Sequence, residues 1–187
     1  ADGESTYLRL STRPLDQTPF ADALDRYGSD VLRDLVVSGG YRLIEPEGSE
    51  GPAVIIVASG AVIPEAVEAA QELKSEGVDA TVVSVTAAGR LFRSWKQSIG
   101  SIENGQLVRK AGHLDTLIPL SERDCPIVSV HDGASHSLAW IGSAIGCRQV
   151  PLGVDRFGES GTIDYLYEIT GIDSGHIVNA ALIALSD

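Results

Sequence analysis

Residues 51–85 decide the fold: GPAVIIVASG (51–60), AVIPEAVEAAQELKSEG (61–77) and VDATVVSV (78–85). Residues 54–58 are a continuous apolar run of mostly β-branched side chains, which is typical of a strand buried on both faces. Pro64 suits the first turn of a helix, alanines and a leucine then recur at helical spacing, and Gly77 ends the helix. Residues 80–85 form a second apolar strand. This order of strand, helix and strand predicts a parallel sheet with helices on its faces.

Further elements are predicted on either side of this unit. An alternating segment predicts a short strand at 6–12, and the polar segment 22–35, broken at Gly28, is interpreted as a loop or a short helix. A hairpin of 41–45 with 53–58 would place an antiparallel strand beside the parallel ones. Further strands are predicted at 126–130 and 148–152, and further helices at 91–99, 135–145, 162–170 and 174–185.

The composition excludes several classes of function. The formal charge is −12 over 187 residues, which argues against binding to nucleic acid or to anionic membranes. The sequence shows no signal peptide and no apolar run near the roughly 20 residues of a membrane span, so a cytoplasmic location is predicted. Cys125 and Cys147 predict neither a disulfide framework nor a metal site, but two buried free thiols. The sequence has no methionine, which suggests a processed product or a piece of a longer protein.

The common cofactor and catalytic motifs are missing from the sequence. The first strand is followed by neither a G-x-G-x-x-G nor a Walker loop, so a dinucleotide or P-loop site is not predicted. Ser59 lacks the flanking glycine of a nucleophile elbow. No H-x-x-x-H or C-x-x-C pair is present to bind a metal.

One polar cluster, residues 131–136 (HDGASH), follows a predicted strand, where open α/β sheets place their ligand sites. Its functional interpretation is an anion pocket or an acid–base pair at Ser59, Gly60, His131 and Asp132. The alternative is a turn in which Asp132 or Ser135 caps the next helix. A triad of Ser59, His131 and Asp132 is disfavoured, because adjacent His and Asp side chains usually point apart.

A second cluster, residues 154–161 (VDRFGESG), also follows a predicted strand. Asp155, Phe157 and Gly158 are candidates for the rim of a site or for a subunit contact, and the alternative is a loop packed by Phe157. Trp95 and Trp140 are interpreted as core or interface anchors. The acidic residues on the helix within 64–77 (Glu65, Glu68, Glu72 and Glu76) are interpreted as a solvated helix face.

Several segments together resemble a known family. AVIIVASG (53–60), PEAVEAAQEL (64–73) and ATVVSV (80–85) resemble the opening of the C-terminal domain of the transketolase superfamily. IVSVHDG (127–133), WIG (140–142) and PLGVDRFGESG (151–161) resemble, in the same order, its third strand with an acidic-Gly turn, its aromatic helix and its Asp-x-Phe-Gly-x-Ser loop. The resemblance covers residues 40–187.

Within the superfamily, VSVT (83–86), RLFRSW (90–95) and YLRLST (7–12) look most like the E1 component of homodimeric pyruvate dehydrogenase. His131-Asp132 stands where transketolases more usually have an acidic pair, and this departure argues against transketolase activity. The resemblance implies an α/β fold, a three-layer α/β/α sandwich with a mixed, mostly parallel five-stranded sheet. It also implies that residues 1–39 are the end of a preceding domain with a linker arm, and residues 40–187 the C-terminal domain.

The resemblance also implies a division of labour. Thiamine diphosphate and magnesium would be held by the preceding domains of a parent enzyme, and none by this chain, which lacks the Gly-Asp-Gly motif and its downstream Asn-Asn. The module would serve dimer contact and support of the active-site channel, with an E2 lipoyl acyltransferase as a partner. The alternatives are the same domain of a transketolase or of a deoxyxylulose-phosphate synthase-like enzyme, and a stand-alone anion-sensing module.

Overall fold

The computed structural model describes residues 13–46, 51–108 and 110–186. The strands are β1 (Gly40–Ile44), β2 (Val54–Ser59), β3 (Ala80–Val85), β4 (Ser101–Glu103), β5 (Gln106–Val108), β6 (Ile127–His131) and β7 (Gln149–Leu152). The helices are α1 (Thr18–Tyr27), α2 (Ser29–Ser38), α3 (Ile63–Ser75), α4 (Ala88–Ser98), α5 (His113–Leu117), α6 (Trp140–Ile145), α7 (Ile163–Thr170) and α8 (Ser174–Ser186). Short 3₁₀ turns lie at Leu120–Glu122 and Ser135–Ser137.

Five strands form one sheet in the order β1-β3-β2-β6-β7. β2 pairs in parallel with β3 and β6, and β6 in parallel with β7. β1 is antiparallel, as predicted, but its partner is β3 and not β2. The predicted hairpin is wrong because both edges of β2 already carry parallel neighbours, which leaves the outer edge of β3 for β1. The mixed, mostly parallel α/β fold is confirmed.

The core has two halves, one on each face of the sheet. Along β2, Val54, Ile56 and Ala58 pack towards α3 and α8, whereas Ile55 and Val57 pack towards α4, α5 and α6. Because side chains alternate between the faces of a strand, a strand buried on both faces must be apolar at every position. The run 54–58 is at most 1 % exposed, which explains why it dominated the sequence pattern.

Residues 18–38 form two helices rather than the loop or single short helix that was expected. Pro19 lies in the first turn of α1, and Gly28, with φ of 76°, separates α1 from α2. Each helix has one fully buried residue, Ala23 or Leu32. Because only one residue of each helix is buried, the apolar periodicity of the segment is weak. Its sequence therefore has the pattern of a polar segment. The strand predicted at 6–12 lies outside the described residues.

Two other regions differ in detail from the sequence predictions. The helix predicted at 135–145 is a 3₁₀ turn followed by the shorter α6, which ends at the left-handed Gly146 as expected. The segment between α4 and β6 contains the β4–β5 hairpin and the short helix α5.

The C-terminal segment Ile163–Ser186 is long and apolar enough, by length and composition, to cross a membrane. In the fold it is two helices separated at Gly171, which is left-handed. Ile177, Ala180 and Ala181 of α8 lie in the core shared with α3. Packing against the protein core therefore accounts for the apolar stripe of α8.

Arg42 anchors the edge strand β1. Its guanidinium donates two hydrogen bonds to Glu122, of 2.7 and 2.8 Å, and a third to the carbonyl of Leu117. The side chains of Arg42 and Glu122 are only 11 % and 14 % exposed. Since both charges are largely removed from water, each depends on the other for compensation.

We expect Arg42→Ala to lower the free energy of unfolding by about 3 kcal/mol, because it leaves the Glu122 carboxylate half-buried without its partner. Urea denaturation followed by circular dichroism measures the change. The matched control is Arg156→Ala, since the Arg156–Glu159 pair is 53 % and 39 % exposed and exposed pairs contribute less than about 1 kcal/mol. Equal losses in the two variants would contradict this role for Arg42.

Candidate functional site

The carboxyl ends of β2, β6 and β7 lie side by side, and most of the predicted site residues meet there. Ser59 at the end of β2 is the register partner of His131 at the end of β6. Gly60 and Asp132 follow directly, and Asp155 follows β7. The crevice at this edge is the place where open α/β sheets bind ligands, and a ligand site among these residues stays a prediction.

Gly60 and Asp132 are in direct contact. Gly60 has φ of 89°, and a Cβ built on it would lie 2.2 Å from Asp132 Oδ1. Asp132 Oδ2 accepts a 3.1 Å hydrogen bond from the backbone N–H of Ala61. The glycine is therefore required twice, for the left-handed turn and for the space that the carboxylate fills.

His131 and Ser59 do not form a relay with Asp132. Ser59 Oγ donates to the carbonyl of Val85 on β3, at 2.9 Å, on the side of β2 away from β6. His131 Nε2 lies 3.6 Å from Asp132 Oδ1, so these two side chains are closer than expected for neighbours in sequence. His131 Nδ1 is buried and has no hydrogen-bond partner. The triad that the sequence disfavoured is not assembled here.

Asp155 joins the loops after β6 and β7. Its Oδ1 accepts a 2.9 Å hydrogen bond from the backbone N–H of Ser135, and hydrogen bonding with Ser135 lowers the pKa of this carboxyl. Val154 N–H donates to the carbonyl of Gly133 at 2.8 Å. The sequence suggested Asp132 or Ser135 as the cap at this point. At the 3₁₀ turn the capping acceptor is instead Asp155, from the loop after β7.

These contacts bear on the predicted anion pocket. Asp132 and Asp155 each accept from a backbone N–H that a bound anion would otherwise use. Both carboxylates also add negative charge to the crevice. The anion pocket stays a prediction, and the geometry suits the alternative interpretation, a structural turn, better.

Phe157 and Gly158 lie on the loop after β7, beside a cavity of about 210 Å³. Asp132, Arg156 and Tyr167 also line this cavity. The Phe157 side chain is 96 % exposed, so it does not pack the loop, which was the alternative considered. An aromatic ring in this position is available for a protein contact.

Arg13, Glu65 and Tyr167 are neighbours that the sequence did not bring together. Glu65, in the first turn of α3, is 8 % exposed and accepts a 2.6 Å hydrogen bond from Arg13 Nη1. The prediction of a solvated acidic face is therefore wrong at this position, although Glu68, Glu72 and Glu76 are exposed. Nothing in the spacing of the glutamates marks Glu65 as different, since its partner lies 52 residues away.

The remaining candidates lie away from the crevice. Trp95 and Trp140 stack with ring centroids 5.2 Å apart and pack against the core, as predicted for anchors. Cys125 and Cys147 are free but only partly buried, which corrects the expectation of buried thiols. Burial raises the pKa of both thiols, so they are poorer nucleophiles than an exposed cysteine.

A second groove, of about 490 Å³, lies between residues 15–17, α1, β1 and α3. Leu15, Phe20, Tyr41 and Val67 are among its lining residues. None of the predicted site residues lines it. Its walls are mainly apolar, and they include backbone and side chains of the segment just before α1.

The described residues do not fit thiamine diphosphate with its metal. Among them, no group of three His, Cys, Asp or Glu side chains is placed to hold a metal ion. The strand-end carboxylates Asp132 and Asp155 accept hydrogen bonds from backbone N–H groups. No reaction step is therefore assigned to residues of this crevice.

We expect Gly60→Ala to lower the free energy of unfolding by about 2–4 kcal/mol, because a Cβ would meet the Asp132 carboxylate and the backbone is left-handed. Thermal and urea denaturation measure the loss. Gly77→Ala is the matched control, since φ is 82° there but no atom lies within 4 Å; strain alone should cost about 1 kcal/mol. If both variants lose the same amount, the Gly60–Asp132 contact is not a constraint.

Comparison with known proteins agrees with the fold and the order of the motifs. The model of the transketolase-like C-terminal domain family matches residues 39–173. The plasmid transketolase of Cupriavidus necator is 30 % identical over 183 residues, which are 97 % of this chain and 22 % of that protein. The chloroplastic transketolase of Solanum tuberosum is 29 % identical over 186 residues, again 97 % of this chain and 22 % of that protein.

Among solved structures, the transketolase of Leishmania mexicana matches with a TM-score of 0.59 and 21 % identity, over 84 % of this chain and 19 % of that one. This likeness concerns the fold. The chain spans about a fifth of the length of the curated relatives it matches. The resemblance to the transketolase superfamily is confirmed, and the chain belongs to the transketolase C-terminal domain family.

Proposed function

We propose that this chain is the C-terminal module of a transketolase-type, thiamine diphosphate-dependent enzyme. The family match over residues 39–173, together with relatives that are named transketolases along nearly the whole chain, carries the proposal. The same relatives favour transketolase over the pyruvate dehydrogenase E1 component that the sequence motifs suggested. We therefore prefer what the sequence left as the alternative.

In this proposal residues 1–39 end a preceding domain and form an arm, and residues 40–187 are the module. Thiamine diphosphate and a divalent metal are held by the preceding domains of the parent. The chain by itself is inactive, and the parent is a cytoplasmic homodimer. The module supports the active-site channel and contributes to the dimer contact.

Two features support a structural role for the module. The strand-end acids are used in holding loops, as the Asp132–Ala61 and Asp155–Ser135 contacts show. The loop after β7 also presents Phe157, which is 96 % exposed, next to a cavity with apolar side chains such as Leu166 and Ile172. A rigid edge that presents an uncovered aromatic side chain suits a surface against which another domain or subunit packs.

We expect the natural gene product to be several-fold larger than 19.7 kDa, since this chain covers only about a fifth of its relatives. The purified product should transfer a two-carbon unit from xylulose 5-phosphate to an aldopentose phosphate. The transketolase of Pichia stipitis has been solved with xylulose 5-phosphate and with sedoheptulose 7-phosphate, the seven-carbon sugar that such a transfer forms. A coupled assay of the triose phosphate released measures the reaction.

The control substrate is pyruvate with ferricyanide as electron acceptor. Pyruvate oxidation without two-carbon transfer would overturn the proposal in favour of the dehydrogenase. A natural product of 19.7 kDa that is inactive with both would overturn it in favour of the stand-alone module. Two-carbon transfer by the large product, and none by the present chain with thiamine diphosphate and magnesium, would support it.

We expect Phe157→Ser to raise the dimer dissociation constant of the parent at least tenfold, because aromatic anchors at interface centres contribute about 2 kcal/mol or more. Analytical ultracentrifugation measures the constant. Leu120→Ser is the matched control, since Leu120 is 80 % exposed on a 3₁₀ turn away from this loop. An unchanged dimer in Phe157→Ser would show that the loop is not a subunit contact.

A further inference from the structure

We propose that Glu65 and Tyr167 form a binding site for a guanidinium group, the guanidinium socket, and that the chain's own Arg13 occupies it. The socket lies at the strand-end crevice, where the sequence analysis expected an anion. Its ligand is cationic and belongs to the segment that precedes α1, residues 13–17, which is called the arm from here on. The proposal concerns this chain alone and does not rest on which reaction the parent catalyses.

The contacts of Arg13 are those by which proteins recognise a guanidinium. Nη1 donates to Glu65 Oε1 at 2.6 Å, and the Cζ atom lies 5.6 Å from the centre of the Tyr167 ring. Cation–π contacts occur within about 6 Å of a ring centroid. A cation that hydrogen-bonds a carboxylate and also lies over an aromatic ring is in an arrangement that suits the planar guanidinium of arginine.

Glu65 is a buried hydrogen-bond acceptor and not a surface charge. The residue is 8 % exposed, and its Oε2 atom is buried without a hydrogen-bond partner. A carboxylate taken out of water is costly unless a cation compensates it. Glu65 therefore needs a positive partner, and its second oxygen leaves an acceptor that the forked donors of a guanidinium can use.

Tyr167 connects this pair to the crevice. Burial raises the pKa of its hydroxyl, the charges of Glu65 and Asp132 act in the same direction, and Arg13 acts in the opposite one. Tyr167 and Asp132 also line the same cavity. Tyr167 thus contacts Arg13 and also lines the cavity at which Asp132 and Arg156 lie.

The arm consequently occupies part of the space in which this fold class binds ligands. Arg13 reaches from the segment before α1 to α3, which follows β2, and to α7, which follows β7. The hydrogen bond from Arg13 to Glu65 also raises the pKa of the Arg13 guanidinium. The group that occupies the socket therefore stays positively charged. The crevice is therefore an attachment point for the arm.

The test uses the full 187-residue chain. We expect Arg13→Ala to lower the Tm by about 4–8 °C, because it leaves Glu65 uncompensated. Hydrogen exchange of the peptide that covers residues 13–24 should accelerate at least tenfold. The control is Arg156→Ala, which removes an exposed Arg–Glu pair near the same cavity and should shift the Tm by less than about 2 °C.

Chemical rescue identifies the ligand class. Methylguanidinium chloride at about 20 mM should restore at least half of the Tm lost in Arg13→Ala, whereas ethylammonium chloride at the same concentration should not, since only the guanidinium is planar and forked. Neither salt should raise the Tm of the unmodified chain. Equal rescue by both cations, or by neither, would overturn the guanidinium socket.

A double variant separates attachment of the arm from general stability, and it serves if Arg13→Ala does not fold. Arg13→Ala/Glu65→Leu should regain most of the lost Tm, because a buried ion pair can be replaced by apolar groups of similar size without loss. Its arm should still exchange fast, and methylguanidinium should have no effect on it. Slow exchange of residues 13–24 in this variant would show that something other than the socket holds the arm, which would overturn the proposal.

Discussion

The burial of β2 on both faces governs the arrangement of the other elements. A strand whose residues 54–58 are at most 1 % exposed needs a layer of helices on each side and a parallel neighbour at each edge. β3 and β6 take those edges, α3 and α8 cover one face, and α4, α5 and α6 cover the other. The antiparallel β1 pairs with the outer edge of β3.

The same constraint fixes the chemistry at the carboxyl ends of the strands. Since β2, β6 and β7 end side by side, the turns that leave them must pass within contact distance of one another. Gly60 leaves the space for this close approach. Asp132 and Asp155 accept hydrogen bonds from backbone N–H groups at the turns. The polar residues that look like a catalytic cluster in the sequence are therefore engaged in holding the turns, while a charged residue from the arm enters the crevice.

The sequence predicted the features whose signals are local. The strands at 54–59, 80–85, 127–131 and 149–152 and the helices α3, α7 and α8 follow from apolar runs, periodicity, prolines and glycines read along the chain. The strand pairing of β1 and the burial of Glu65 could not be predicted in this way, because each depends on a partner far away in sequence. The helices α1 and α2 were missed for another reason, since apolar side chains such as Val31 and Val37 lie about half exposed on them and blur the periodic pattern.

The position of Arg13 has a consequence for the order in which the molecule assembles. Its partners include Glu65, on the first helix of the central βαβ unit, and Tyr167, near the other end of the chain. Contacts between residues distant in sequence carry the largest loop-closure entropy and form late in folding. On a ribosome, the arm would emerge long before α7 exists, so Arg13 can contact Glu65 and Tyr167 together only when almost the whole domain has been made. The contact between the arm and Tyr167 therefore forms only after the C-terminal half of the domain has folded.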